Sequence, residues 1–81
     1  MARVTRDNVD RIMQYVNEAL ARRLMAYRYS VQSENNKLTI SRRDPDGNEA
    51  VVVQGMSTRE AFYTVKGMYQ IITDNTIVHG N

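Results

Sequence analysis

Residues 55–68, GMSTREAFYTVKGM, mark the point where extended chain gives way to helix. Ser57 and Glu60 stand at the spacing of a capping box, in which the Ser hydroxyl accepts from the third helical N–H and the Glu carboxylate accepts from the cap's own N–H. Met56 and Ala61 flank the box at the hydrophobic-staple positions. Ala61, Val65, Met68 and Ile72 then share one face, with Phe62 and Tyr69 beside them, so the spacing predicts a helix over residues 58–73. Gly67 interrupts that helix at a cost of about 1 kcal/mol relative to Ala. It either admits a closely packed neighbour or is simply tolerated.

Upstream of this boundary, residues 49–54 read as a strand in which Val51, Val52 and Val53 follow one another. A period of two cannot say which of them faces inward. Asp44-Pro45-Asp46-Gly47 is a tight turn: Pro presets the first turn dihedral, and Gly accepts the left-handed conformation that ends it. The turn joins residues 49–54 antiparallel to residues 37–43, where Leu38 and Ile40 alternate with Lys37, Thr39 and Ser41. A one-residue bulge at Gly47 places Ile40 opposite Val52, whereas a two-residue turn places it opposite Val53. Glu34-Asn35-Asn36 makes an earlier turn, preceded by a strand over residues 27–33. There Tyr27, Tyr29 and Val31 alternate with Arg28, Ser30 and Gln32.

Val9, Ile12, Met13, Val16, Ala19, Leu20 and Leu24 recur at three- and four-residue steps, which predicts an amphipathic first helix over residues 7–26. Asp7 is its best N-cap, with Thr5 as competitor and Asp10 adding negative charge in the first turn. The helix is long for so small a domain, and its far end either projects or meets a partner. The order helix, strand, strand, strand, helix gives an α+β class: a three-stranded antiparallel meander with both helices on one face and the other face partly solvated. The first and third strands form the edges, open to completion by a second copy or a partner strand.

Eighty-one residues fill one hydrophobic core, near the lower end of independent folding. With 42% hydrophobic and 25% charged residues the chain has the balance of an ordered globular domain. It contains no cysteine, so neither disulfides nor a thiolate metal site can add stability, and self-association is the expected compensation. The charged start MARVTRDNVDR lacks the apolar core of a secretory signal, and no run approaches membrane-spanning length. A soluble, cytoplasmic protein is expected.

Residues that carry chemistry are sparse. His79, the single histidine, lies two positions from the last residue, a poor place for an ordered general base. Asp44, Asp46 and Glu49 gather at one hairpin tip, where a solvated turn accounts for them better than a hard-cation site. Gly55 and Gly67 belong to no phosphate-binding series, and Gly80 sits in the tail of residues 74–81. No cofactor, no metal and no enzymatic activity are expected.

The net charge of +2 hides a regional excess, since residues 1–31 hold six arginines against Asp7, Asp10 and Glu18. Arg22, Arg23 and Arg28 lie where the first helix passes into the first strand, near Tyr27 and Tyr29. Together with Arg42 and Arg43 they make a candidate contact for nucleic acid or another anionic partner, by neutralising phosphate beside aromatic rings. Core positions for the tyrosines, and an ion pair from Arg43 to Glu49, account for the same residues structurally.

The element order resembles the topology of the double-stranded RNA-binding domain over most of the chain. That family carries a Gly-Pro-x-His loop between its first two strands, where this chain has Ser33-Glu34-Asn35-Asn36. The family's second helix opens with a lysine cluster, where this chain has Ser57-Thr58-Arg59-Glu60-Ala61. The Arg-rich first helix and the phrase STREAFYTVKGMYQII are similar to small accessory proteins encoded by phages and prophages. That likeness implies a dimer that binds a host protein. The expected function is therefore a small non-enzymatic protein-binding module, regulatory or accessory and homo-oligomeric, with nucleic-acid binding through the arginines as the alternative.

Overall fold

The computed structural model describes residues 3–74, in the order α1 (Arg6–Arg22), β1 (Arg28–Glu34), β2 (Lys37–Arg43), β3 (Glu49–Met56) and α2 (Thr58–Thr73). The α+β class and the antiparallel meander stand as read from the sequence. The expectations for His79 and Gly80 lie outside the described residues.

The first helix differs from expectation at both ends. Its N-cap is Thr5 rather than Asp7: the Thr5 hydroxyl accepts from the Asn8 N–H, and Asn8 Oδ1 accepts from the Thr5 N–H at 2.9 Å. Asn8 can do this because it stands at the third helical position, whereas Asp7 falls inside the first turn, where its charge suits the dipole. Asp10 instead pairs with Arg6 one turn earlier, at 2.9 Å.

At the other end α1 stops at Arg22, four residues short of the expected limit. The Leu24 N–H donates to the Ala21 carbonyl at 3.0 Å and the Met25 N–H to the Leu20 carbonyl at 2.9 Å. These are the two bonds of a Schellman ending, with Leu24 at φ +61° in the place usually held by glycine. Leu24 therefore leaves the apolar stripe to which its spacing assigns it.

β1 runs back along α1 and pairs with β2 in unbroken register from Arg28↔Arg43 to Glu34↔Lys37. Asn35 and Asn36 close this hairpin at φ +52° and +64°, the two-residue turn whose left-handed pair suits asparagine. In the second hairpin the Gly47 N–H donates to the Asp44 carbonyl at 3.0 Å and the Asp44 N–H to the Asn48 carbonyl at 2.9 Å, with Gly47 at φ +92°. That bulge leads to Arg43↔Glu49 and Ser41↔Val51. A further irregularity at Val52 then sets Ile40 opposite Val53, and another leaves Leu38 opposite Met56, with Gly55 at φ +74°. The strand's own bulges decide the register, and they carry β3 two residues beyond its expected end at Gln54.

The core is one cluster in which Val9, Met13, Val16 and Leu20 of α1 meet Leu38, Ile40 and Met56 of the sheet and Ala61 and Val65 of α2. Tyr27, Tyr29, Val31, Phe62, Met68, Tyr69 and Ile72 pack around it, half-buried. The molecule is 19 Å across its thinnest dimension, room for one helix layer on one sheet and no third layer. Ser41, on the uncovered face, is nevertheless buried, because its short side chain lies in the central strand between Ser30 and Val51.

An added Cβ at Gly67 would meet no atom within 4 Å. Close packing does not explain this glycine; tolerance does.

Candidate functional site

The two sheet edges are treated differently. On β1, the Asn17 side-chain amide donates to the Tyr29 carbonyl and accepts from the Tyr29 N–H, both at 2.9 Å. Arg6 donates to the Val31 carbonyl at 3.1 Å. Residues that alternate along an edge strand turn their main-chain groups outward, so α1 occupies the outer row of β1 with its own side chains. A groove of about 500 Å³ between α1 and Val31 has Met13 and Asn17 in its wall and lies along this braced edge.

No such brace lies along β3 among the described residues. Val51, Val52 and Val53 are 59%, 49% and 37% exposed, in a strand whose only buried residue is Met56. The bulge at Val52 breaks simple alternation, so the run does not direct one valine inward and two outward. Bulges also blunt an edge against long ladders, so the valine side chains rather than a continuous run of main-chain bonds are what this edge offers.

The five arginines singled out from the sequence lie toward one end of the molecule, where α1 ends and β1 begins. Arg28 and Arg43 are cross-strand neighbours, as are Tyr29 and Arg42. Arg28 donates to the carbonyls of Met25 and Tyr27, closing the α1–β1 connection. Arg42 lies 4.3 Å above the Tyr27 ring and its Nε donates to Asp44 at 3.0 Å. That hydrogen bond, and then the Asp44 charge, raise the Arg42 pKa further above its ordinary value. Arg43 pairs with Glu49 at 3.2 Å. Arg22 stands in the last turn of α1, and Arg23 is its C-cap. Thus Arg28, Arg42 and Arg43 come together with structural duties, and Arg22 and Arg23 flank them along the chain.

The hairpin carboxylates have duties of their own. Asp44 and Glu49 are in the ion pairs just described, and Asp46 accepts from the Asn48 N–H at 3.3 Å. Among the described residues no three His, Cys, Asp or Glu side chains converge as a metal site. No described helix is long and apolar enough to cross a membrane.

Tyr27, Tyr29, Met68, Ile71 and Ile72 line a cleft of about 260 Å³ between the start of β1 and the end of α2. The tyrosines meet edge to face, with centroids 5.8 Å apart. Sequence reasoning missed this cleft and the Asn17 brace. A polar Asn beside the stripe of Met13, Val16 and Leu20 was the available signal for the second.

No protein-family model, curated protein or solved structure matches this chain.

Proposed function

We propose that the chain is a small non-enzymatic protein-binding module, regulatory or accessory in kind, which self-associates through β3. The observation that carries this reading is the contrast between its edges. β1 is closed by Asn17 and Arg6, while β3 presents three exposed valines in succession. Contiguous exposed apolar residues in a domain with so small a core are an interaction feature rather than incidental exposure. A concentration series of ¹⁵N-resolved NMR spectra tests the reading. Resonances of Val51, Val52 and Val53 shift or broaden first as concentration rises. Spectra that stay unchanged up to the millimolar range overturn it.

Nucleic-acid binding through Arg22, Arg23, Arg28, Arg42 and Arg43 is the second reading, favoured by the meeting of Arg28, Arg42 and Arg43 at one end of the sheet. It predicts retardation of nucleic acid that weakens steeply with salt. The ion pairs of Arg42 and Arg43 place it second.

A further inference from the structure

We infer that the cleft between the start of β1 and the end of α2 is a docking site for an acidic, hydrophobic segment of a partner protein. This surface is separate from the valines of β3. Its floor is apolar, formed by Tyr27, Tyr29, Met68, Ile71 and Ile72, and Ile71 is 68% exposed. The chain leading into it presents Leu24, which is 91% exposed, followed by exposed Met25. Leu24 holds a left-handed conformation that glycine would adopt without strain, so the fold accepts a backbone penalty at a position where a large apolar side chain meets solvent.

Charge selects the partner. Arg22, Arg28 and Arg42 bring positive charge to this end of the molecule, where Asp44 pairs with Arg42. Arg42 lies over Tyr27 and uses Nε for Asp44, and a guanidinium carries further N–H donors on its terminal nitrogens that a carboxylate can take. An occupant with leucine- or phenylalanine-like side chains for the cleft and carboxylates for the arginines matches both parts. A nucleic acid matches less well: one face of Tyr27 is covered by Arg42, and Tyr29 packs against the same ring, so a base finds little platform for stacking. A flat anionic bilayer would leave the concave floor unfilled.

The test uses the full ¹⁵N-labelled chain and four probes. These are a synthetic peptide repeating Asp-Leu-Glu-Phe, the same peptide with lysine replacing both acids, an oligothymidine, and vesicles of phosphatidylserine in phosphatidylcholine. The acidic peptide shifts the resonances of Tyr27, Tyr29, Met68, Ile71 and Ile72, and the lysine peptide does not bind. Ile71→Glu and Leu24→Gly each weaken the acidic peptide about tenfold, on the scale of one lost apolar anchor. Leu24→Gly also raises Tm, so its weaker binding cannot come from unfolding. The inference is overturned if the acidic peptide leaves these resonances unmoved, if both variants bind it as the parent does, or if the lysine peptide binds equally well. Tighter engagement of the same residues by oligothymidine or vesicles also overturns it. Val52→Lys retains peptide binding, so loss of self-association and loss of the cleft's ligand are read separately.

Discussion

Asn17 and Tyr29 are joined by two 2.9 Å hydrogen bonds, the side-chain amide of one residue standing in for the neighbouring strand that the main chain of the other lacks. An α-helix thus closes a sheet edge from above, and among the described residues β1 is protected where β3 is not. Asn17→Ala leaves a half-buried N–H and C=O without partners, at a cost of about 1–3 kcal/mol. Urea denaturation should show this loss, and the Tyr29 amide should lose hydrogen-exchange protection ahead of its β1 neighbours.

Gly67 lies inside α2 with open space around its Cα. Gly67→Ala is therefore expected to stabilise the protein by about 1 kcal/mol, the difference in helix propensity, with no steric penalty. A higher urea midpoint with an unchanged slope is the check.

Leu24→Gly relieves a left-handed leucine and should stabilise by about 1 kcal/mol, offset in part by the greater entropy of glycine in the unfolded chain. Thermal denaturation reads the change. A lower Tm would mean that the Leu24 side chain makes stabilising contacts, at odds with its exposure.

The second helix's cap links stability to pH. The Ser57 N–H donates to Glu60 at 2.8 Å and the Glu60 N–H to the Ser57 hydroxyl at 3.1 Å. The hydrogen bond from the Ser57 backbone, then that from its side chain, hold the Glu60 carboxyl below its usual pKa, with a smaller contribution from the Lys37 charge. The unfolded chain therefore binds the proton more readily. The stabilisation is fully present above the ordinary glutamate range and is lost as pH falls through the lowered value. Ser57→Ala should cost about 1 kcal/mol through the lost cap acceptor, while Glu60→Gln, which removes the titrating carboxylate, should reduce the difference in stability between pH 7 and pH 3, both measured by urea denaturation.

The elements most legible in the sequence were those signalled locally. The Ser57–Glu60 box fixes the start of α2, and Asp44-Pro45-Asp46-Gly47 carries the tight turn that its composition implies, the bulged one of the two forms open to it. Leu38 and Ile40 occupy the core by simple alternation. What stayed hidden depends on partners distant in sequence or on unusual backbone. Leu24 fits the helical period, but the Schellman bonds stop the helix before it, and leucine is a poor advertisement for a left-handed residue. The Val51–Val53 run gives no periodicity, so the bulge at Val52 had no signature. Among the five arginines the sequence identified the residues and the Arg43–Glu49 pair, but not the Arg42 contact with Tyr27 or the cleft beside it.

We propose β3 as the surface through which copies of this chain meet. Sedimentation equilibrium of the parent beside Val52→Lys tests it most directly, because a charge on the exposed bulge leaves the core untouched while opposing apolar contact. The parent is expected to associate reversibly in the micromolar to millimolar range, and the variant at least tenfold more weakly. A parent that sediments as a strict monomer at the highest concentration, or a variant that associates equally well, would contradict it.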